Sequence, residues 1–271
     1  MEYMNIRHII RNTVIGFFEY TGISWFYRFI QRRHGPLTRI IVFHDVPDAV
    51  WFETMITTLA RETNVLSPEE FFSGACASDR MNTCITFDDG YASWTSVALP
   101  LLRAHGLKAL FFVNSGLLDV AHSEQDTEVF MRESLEITPR VPLTWSDVVV
   151  LQDAGHTIGG HTRTHPNLVA CTTEESRREV QEDKDRIESK LGNQVTEFAY
   201  PFGTKAHVNA EVAELVRTAG YIRGYTTISR FVDQRSETFL LPRMCIETGL
   251  SAHALILWLG GGYDLFDMIK K

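Results

Sequence analysis

Short runs of β-branched and aromatic residues alternate, from residue 38 onward, with longer segments of helical period. The runs that predict strands are Ile40–His44, Cys84–Phe87, Ala109–Val113, Thr157–Gly160, Glu197–Tyr200, Tyr225–Thr227 and Leu240–Ile246. This alternation is typical of repeated β-α units around a parallel sheet. A chain of 271 residues with 44% hydrophobic content can bury one large core, and an α/β barrel of this length is ordinarily one domain. We therefore expect a single α/β domain over residues 38–271.

The segments between the strands predict helices and two unusual connections. The clearest helix begins at Thr172, which offers a capping box with Glu175, and ends before Gly192. Its many charged residues predict a solvent-exposed face. The segment Asn114–Pro142 is long and acidic, which predicts a lid or specificity loop because most β-α connections are short. Residues 260–271 begin with three glycines and predict a C-terminal tail.

The N-terminal segment Asn5–Arg33 is rich in Ile, Phe, Trp and Tyr, but Arg11, Glu19 and Arg28 interrupt it. Its uncharged runs are far shorter than the ~20 apolar residues of a membrane-spanning helix. It also lacks the cleavage site of a removable signal peptide. We expect residues 1–37 to form an amphipathic helical extension. This segment either lies in a membrane interface with its arginines against anionic head groups, which we favour, or packs on the main domain or a second subunit.

The charge balance is acidic, with 26 basic and 34 acidic residues and a formal net charge of -8. This argues against a protein that wraps nucleic acid across its whole surface. Residues 1–40 nevertheless carry six arginines and two glutamates, so this part has a net charge of +4 and the remainder -12. The four cysteines form no CxxC pair, which suits a reducing compartment. We therefore expect a cytoplasmic protein, attached to the inner face of a bacterial membrane if the N-terminal segment binds lipid.

Two adjacent carboxylates, Asp88 and Asp89, follow the second predicted strand in the segment Thr86–Gly90. Successive side chains of a strand point to opposite faces, so both carboxylates reach one site only if the backbone turns there. Gly90 permits that turn. Neighbouring carboxylates resist simultaneous ionisation unless a cation lies close to them. The pair indicates a metal or a basic partner, although the motif alone also fits an acidic cap between a strand and a helix.

Two histidines, His161 and His165, follow the fourth predicted strand in the segment Gly159–Pro166. Histidines four residues apart can converge on one ion, and imidazole with carboxylate is a familiar ligand set for divalent metals. Pro166 biases His165 away from helical geometry, so we expect a shaped loop. A single such histidine is more often a capping or core residue, and that alternative stays open for this motif alone.

Together the two motifs resemble those of the polysaccharide deacetylase family, the carbohydrate esterases that include chitin and peptidoglycan deacetylases. The resemblance runs from about Arg39 to Glu247 and also covers Leu143–Trp145 and Gly155–Gly159. It implies a distorted (β/α)-barrel of about seven parallel strands behind the N-terminal helical extension.

The resemblance also implies a role for each motif residue. Asp89, His161 and His165 correspond to the residues that hold a divalent metal ion, and Asp88 corresponds to the general base. The physical case agrees, because three protein ligands leave open positions on an ion for water and for the substrate carbonyl. Asp88, one residue from a ligand, can take the proton of that water.

The family's third motif corresponds to Phe198–Gly203, where the family uses a backbone amide to stabilise the oxyanion. Because Pro201 has no N–H, we expect the amide of Phe202 in this role; a simple turn after a strand is the alternative. We expect Tyr200 and Trp145 to contact the sugar or to orient the base. Core packing is an equally good explanation of Trp145.

The chain departs from the common family pattern in its general acid. No late leucine-histidine motif is present. One branch, the exopolysaccharide poly-N-acetylglucosamine deacetylases, has an acid histidine at the end of the first strand, and Phe43-His44-Asp45 resembles that arrangement. We therefore expect His44 to protonate the departing amine, since the ordinary histidine pKa of ~6.5 suits an acid near neutrality. The alternative is a histidine that only hydrogen-bonds a loop.

A second departure concerns the group that orients the base. Ala199 stands where many family members have an arginine. Arg243, which we place at the end of the last predicted strand, is our candidate to supply the missing charge and pair with Asp88. A plain surface salt bridge is the alternative.

These residues predict a metal-dependent hydrolase that removes the N-acetyl group of an amino sugar in a glycan, glycolipid or sugar precursor. Zinc is the default ion, and two histidines with one carboxylate also suit iron, nickel or cobalt. Two other functions stay open at this point. One is hydrolysis of another non-peptide C–N bond, such as an N-formyl group or a cyclic amide. The other is carbohydrate binding with little catalysis.

Overall fold

The computed structural model describes residues 6–74, 76 and 79–269. Its strands are β1 Thr38–Phe43, β2 Thr63–Leu66, β3 Met81–Phe87, β4 Ala109–Val113, β5 Thr157–Gly160, β6 Glu197–Ala199, β7 Arg223–Tyr225 and β8 Arg243–Cys245. Seven of these strands form a nearly closed parallel barrel in the order β7-β6-β5-β4-β3-β1-β8. Hydrogen bonds of 2.8 Å from Thr226 N to Leu241 O and from Leu241 N to Gly224 O link β7 to the segment before β8. The predicted distorted (β/α)-barrel is confirmed.

Helices surround this barrel. They are α1 Ile6–Tyr20, α2 Ile23–Gln31, α3 Ala49–Glu62, α4 Pro68–Phe72, α5 Leu99–Ala104, α6 Ser115–Val120, α7 Glu124–Glu133, α8 Trp145–Asp153, α9 Thr173–Leu191, α10 Ala210–Thr218, α11 Ala252–Leu259 and α12 Gly262–Ile269. The capping box predicted at Thr172 is present. Thr172 Oγ1 accepts from Glu175 N at 3.2 Å, and Glu175 Oε2 accepts from Thr172 N at 2.8 Å.

Strand side chains alternate between two apolar layers, because successive residues of a strand point to opposite faces. Leu110 and Phe112 of β4 belong to the cluster inside the barrel. Phe111, between them, belongs to the larger cluster between the strands and the helices, where its ring stacks on Phe87 with 4.6 Å between centroids. The barrel therefore has a filled interior, and its polar groups gather where the strands end.

Three strand predictions need correction. β2 was not predicted, and it pairs with the first half of β3 outside the barrel path. β7 spans Arg223–Tyr225, two residues before the predicted Tyr225–Thr227, and β8 is shorter than the predicted Leu240–Ile246. Because β-branched residues continue past β7 and apolar residues flank β8, residue type alone does not mark where backbone pairing stops.

The segment Asn114–Pro142 and the C-terminal residues both contain helices that we did not predict. Asn114–Pro142 contains α6 and α7, so it is not an irregular loop. The predicted C-terminal tail is wrong, because α12 packs on α1 and α11. Asp264 of α12 is fully buried and receives both terminal nitrogens of Arg39, at 3.0 Å and 2.7 Å. A buried ion pair to β1 thus anchors a segment that the sequence predicted as a tail.

The predicted N-terminal helical extension is confirmed as α1 and α2, and α1 packs on α11 and α12. Arg11 forms a bidentate ion pair with Glu247 at 2.6 Å and 2.7 Å. Arg28 donates to Gly260 O and to Glu19 Oε1, both at 2.9 Å. The expectation that these arginines point toward head groups is therefore wrong for Arg11 and Arg28, which bind the protein itself. Among the described residues, no helix is long and apolar enough to cross a bilayer.

Candidate active site

The residues predicted to bind the metal or take part in catalysis lie at the carboxyl-terminal edge of the barrel. Asp88 and Asp89 follow β3, His161 follows β5, Phe202 comes three residues after β6, and His44 follows β1. Parallel strands bring these ends to one edge, although the residues are far apart in the chain. In barrels of this kind, that edge is where catalytic groups are placed.

Asp89, His161 and His165 form a compact buried cluster. Their donor atoms all lie within 4.8 Å of one another. Asp89 Oδ1 is 3.5 Å from His161 Nε2 and 3.8 Å from His165 Nε2. These distances are too long for good hydrogen bonds. The three atoms therefore surround a common point, as ligands of one ion do.

The second nitrogen of each imidazole is held by the backbone. His161 Nδ1 lies 2.8 Å from Ala199 O, and His165 Nδ1 lies 3.3 Å from Ser134 O. A carbonyl can only accept, so these contacts place the proton on Nδ1 and leave the Nε2 lone pair toward Asp89. Ser134 follows α7, so the acidic connection supports the cluster from the side.

Burial and charge act differently on the two histidines. Burial lowers the pKa of His161, but the neighbouring carboxylates of Asp89 and Asp88 outweigh it and raise that pKa. Burial, followed by the charge of His161, lowers the pKa of His165 to about 4. His165 is therefore neutral at physiological pH, which is the form that binds metals.

Strained backbone marks the same edge. Five non-glycine residues in the described part of the chain have positive φ, and four of them are Asp89 at 88°, Thr162 at 66°, His165 at 59° and Phe202 at 60°. Each such conformation costs on the order of 1–3 kcal/mol and persists only where surrounding contacts enforce it. One such contact joins His165 N to Thr162 Oγ1 at 3.0 Å.

Asp88 forms a buried bidentate ion pair with Arg243. Arg243 Nη1 is 2.7 Å from Asp88 Oδ1, and Nη2 is 2.6 Å from Oδ2. The guanidinium also donates to Thr226 O at 3.0 Å and to Thr86 Oγ1 at 3.1 Å. Burial raises the pKa of Asp88, but the charge of Arg243 outweighs it and holds that pKa below its ordinary value. Asp88 is therefore an ionised, oriented carboxylate.

The route of Arg243 to Asp88 differs from our expectation. Arg243 does not end the last strand but opens β8, where it pairs with Ile40 of β1. Phe87, which precedes Asp88, pairs with Phe43, three residues further along β1. The long side chain of Arg243 therefore rises through the barrel to reach the edge.

His44 lies in a short loop after β1 and is half-buried. Trp94 Nε1 donates to its carbonyl oxygen at 2.9 Å, and Ser93 Oγ donates to the neighbouring Asp45 at 2.7 Å. Burial raises the pKa values of Asp88 and Asp89, and neighbouring charged groups lower them. His44 is one of the groups that lower both values. The first-strand histidine thus lies on the same edge as the cluster, as our prediction of its role requires.

Phe202 lies in the turn after β6, with its ring 4.8 Å from that of His165. Thr227 Oγ1 donates to Phe202 O at 2.6 Å, and Thr227 N donates to Gly203 O at 2.8 Å, which fixes the turn. In the described part of the chain, the N–H of Phe202 has no hydrogen-bond acceptor. A main-chain donor beside the cluster is thus available to a ligand.

The structure does not bring the other two predicted residues to the cluster. Tyr200 is fully buried, and its hydroxyl donates to Phe239 O at 2.8 Å. Trp145 is half-buried at the start of α8, where its indole donates to Asp119 at 2.9 Å. Asp119 in turn receives Arg186 of α9 at 2.7 Å. Tyr200 and Trp145 therefore hold the framework around the site in this structure.

Sequence reasoning missed two residues that hold the ligands. Tyr91 donates to Asp89 Oδ2 at 2.8 Å and so orients Oδ1 toward the histidines. Asp183 of α9, fully buried, accepts from His161 N at 3.0 Å and from Ser115 N at 2.9 Å.

A signal for Asp183 was present in the spacing of α9. Val180, Asp183, Lys184 and Ile187 are all buried and follow the i, i+3, i+4, i+7 spacing of a core-facing stripe. The charged composition of α9 hid this stripe, and the prediction of an exposed face is wrong for Asp183 and Lys184.

The cluster fits a divalent ion. Two imidazoles, which bind metals in their neutral form, and one carboxylate suit zinc, iron, nickel or cobalt. Their remaining polar atoms already have partners in Ala199 O, Ser134 O and Tyr91, as the outer contacts of metal ligands usually do. The donor set therefore has the composition and support of a metal site.

A family model described as polysaccharide deacetylase matches residues 77–223, more than half of the chain. The chain belongs to the polysaccharide deacetylase family. The matched range covers β3 to β6, ends at the first residue of β7 and includes both aspartates and both histidines of the site. β1 with His44 and β8 with Arg243 lie outside it.

Individual relatives agree with this assignment. The chain is 29% identical over 144 residues to a chitooligosaccharide deacetylase of Rhizobium leguminosarum, covering 53% of this chain and 55% of that protein. It spans about half the length of the curated relatives it matches.

Solved structures share the fold at low sequence identity. The Streptococcus pyogenes deacetylase PplD has a TM-score of 0.66 at 20% identity, covering 81% of this chain and 96% of that one. IcaB from Ammonifex degensii also has a TM-score of 0.66, at 18% identity, covering 84% of this chain and 98% of that one. At these identities the likeness describes the barrel alone.

Proposed function

We propose that this protein is a metal-dependent deacetylase that hydrolyses the N-acetyl group of an amino sugar. The observation that carries the proposal is the buried Asp89–His161–His165 cluster beside a carboxylate, Asp88, that Arg243 keeps ionised. Membership of the polysaccharide deacetylase family supports it. The matched chitooligosaccharide deacetylase is named for an acetylated amino-sugar substrate.

The chain's own groups divide the work of amide hydrolysis between them. A divalent ion held by Asp89, His161 and His165, zinc by default, would supply Lewis-acid polarisation of the acetyl carbonyl and acidify the attacking water. Asp88 takes the proton of that water, because it is ionised and fixed next to a ligand. Arg243 holds the orientation of Asp88 with two hydrogen bonds.

Two further groups act once water has attacked the carbonyl carbon. The Phe202 N–H donates to the oxygen on which negative charge develops, since it has no hydrogen-bond acceptor among the described residues. His44 gives a proton to the departing amine, which leaves as a free amino sugar while acetate is released. We assign this role to His44 because it follows β1 at the same edge of the barrel as the cluster.

The substrate is proposed as a glycan, glycolipid or sugar precursor made at the cytoplasmic face of a bacterial membrane. Poly-N-acetylglucosamine is the polymer we favour, because Phe43-His44-Asp45 resembles the pattern of enzymes that act on it.

The test is acetate release from N-acetylglucosamine oligosaccharides by the full chain, stripped of metal and then restored with zinc. We expect turnover only after restoration. Asp89→Asn should lose metal and activity together, whereas Asp88→Asn should keep metal and lose about 10²- to 10⁴-fold in kcat. Asp153→Asn, an exposed aspartate of α8, is the matched control.

Three outcomes would contradict the proposal. Release of formate instead of acetate from matched substrates would indicate hydrolysis of a different C–N bond. Metal binding and sugar binding without turnover would indicate a carbohydrate-binding protein. Equal kcat for the Asp88→Asn variant and the unaltered chain would remove Asp88 from the mechanism.

A further inference from the structure

The helix α2 has its polar side facing the protein and its apolar side facing outward. Ser24 is buried, Tyr27 donates to Asp264 at 3.2 Å, and Arg28 donates to Gly260 O at 2.9 Å. The opposite side carries Trp25, which is 61% exposed and stacks on Phe29 at 5.7 Å. A surface helix of a water-soluble protein has the reverse arrangement. The outward side of α2 is therefore built for an apolar neighbour.

The apolar surface continues from α2 onto α1. We define the aromatic face by its members, all exposed large apolar residues: Ile10, Phe17, Tyr20, Ile23, Trp25, Phe26, Phe29 and Ile30. Ile15, on the other side of α1, is fully buried in the core. Single exposed apolar residues are normal on protein surfaces, but eight on two consecutive helices that pack together mark an interaction site.

The charges around the aromatic face favour an anionic neighbour. The face contains no carboxylate, because Glu19, the acidic residue of α1, pairs with Arg28. Arg32 and Arg33 are exposed directly after α2, and the guanidinium of Arg33 lies 4.9 Å from the ring centre of Phe29. Cations thus border the apolar surface in a chain whose total charge is -8.

We propose that the aromatic face lies in the interfacial layer of an anionic lipid bilayer, with Trp25, Phe26 and Phe29 inserted below the head groups and Arg32 and Arg33 at their level. Aromatic side chains with cations beside them are typical of helices that lie in this layer. Arg11 and Arg28 are excluded from lipid contact by their ion pairs.

A second copy of the chain fits the aromatic face less well than a bilayer does. In a two-fold symmetric dimer the same surface meets itself. The exposed cations Arg32 and Arg33 would then oppose those of the other copy. An anionic bilayer instead meets these cations with opposite charge, worth about fivefold in affinity for each arginine near the surface.

The test measures binding of the full chain to vesicles without any sugar substrate, so its result does not depend on deacetylase activity. We expect flotation with vesicles of phosphatidylcholine and phosphatidylglycerol in equal parts, and weak binding to phosphatidylcholine alone. The variant Trp25→Ser/Phe29→Ser should bind roughly tenfold or more weakly. Ile222→Ser with Val50→Ser removes two exposed apolar residues elsewhere and should bind normally.

A charge-reversal pair tests the cations separately. Arg32→Glu/Arg33→Glu should abolish the preference for anionic vesicles, whereas Arg177→Glu/Arg178→Glu, adjacent exposed arginines of α9, should retain it. Equal binding of the aromatic variant and the unaltered chain would overturn the proposal. So would absence of vesicle binding together with a dimer that Trp25→Ser/Phe29→Ser converts to a monomer, because the face would then join two copies.

Discussion

The base of the proposed reaction depends on one buried contact between residues 155 positions apart, Asp88 and Arg243. An aspartate buried without a partner would take up a proton and lose its function as a base. The two hydrogen bonds from Arg243 both supply the opposing charge and fix the plane of the carboxylate. In this chain the arginine that pairs with the base comes from β8. The residue at the end of β6, Ala199, has no charge to offer.

Arg243→Lys should lower kcat by roughly 10- to 100-fold with unchanged metal content, because lysine keeps the charge but loses the bidentate fork. Arg243 lowers the pKa of Asp88, so weakening the contact raises that pKa. Since the base must be ionised, activity should then fall away at higher pH on the acid side of the rate profile. Steady-state kinetics against pH and metal analysis check both results.

Arg39→Lys is the matched control for this substitution. Arg39 is also fully buried and bidentate with an aspartate, Asp264, but it lies at the start of β1. The Arg39→Lys substitution should lower the free energy of unfolding without moving the pH profile of kcat. An equal shift of the profile in both variants would indicate a general effect of buried arginines.

Asp183→Asn should weaken zinc affinity by about 10- to 100-fold, which is the usual effect of losing an outer contact of a metal ligand. Asparagine has one accepting oxygen, so either His161 N or Ser115 N would face an N–H group. Competition with a chelator measures the affinity, and circular dichroism checks the fold. Asp185→Asn, exposed on the same helix, should leave affinity unchanged; a normal affinity for Asp183→Asn would contradict the role.

Among the elements, α12 shows how tertiary contacts decide the structure of a short segment. Its eight residues begin with Gly262 and would not form a stable helix alone. Asp264 accepts from Arg39, from Ser229 Oγ at 2.6 Å and from Tyr27 at 3.2 Å. One carboxylate therefore joins α12 to β1, to the β7–β8 connection and to α2.

Asp264→Ala should destabilise the protein by about 3–5 kcal/mol, because it leaves the buried guanidinium of Arg39 without its counter-charge. Chemical denaturation with a fluorescence readout measures the change. Asp267→Ala on the same helix should cost much less, since Asp267 is only half-buried. The double variant Asp264→Leu/Arg39→Met should recover part of the loss; if it is less stable than either single change, the charge explanation fails.

For the whole molecule, pH acts on stability through groups far from the site. Burial, followed by the charges of Lys108 and Arg103, lowers the pKa of His156 to about 4. His156 Nδ1 accepts from Ala109 N at 3.1 Å, which only the neutral ring can do. The unfolded chain binds this proton near pH 6.5 and the folded chain only near pH 4, so folding opposes protonation.

Stability should therefore be full above about pH 6.5 and decline as the pH falls toward 4, with a contribution from His156 of about 3 kcal/mol. His156→Asn cannot titrate, and its loss of stability over this window should be smaller. His122→Gln, an exposed histidine, should follow the unaltered chain. Denaturation midpoints across the window measure the effect, and identical pH slopes for the His156→Asn variant and the unaltered chain would rule it out.

The sequence by itself determined the approximate positions of seven of the eight strands, the barrel class and the placement of Asp88, Asp89, His161 and His165 at one edge. It did so because each motif directly follows a strand, and parallel strands end at one edge. The turn chemistry of Gly90 and Pro166 is likewise local. Such features depend on neighbours in the chain, and a linear pattern reports them.

Only the tertiary structure decided which groups support these residues and which surfaces remain uncovered. The reach of Arg243 depends on the register of β8 against β1, and the burial of Asp183 depends on how α9 turns against β5. The outward side of α2 depends on the ion pairs that hold its polar side. These are distances between segments far apart in the chain, set by packing, so no local pattern contains them.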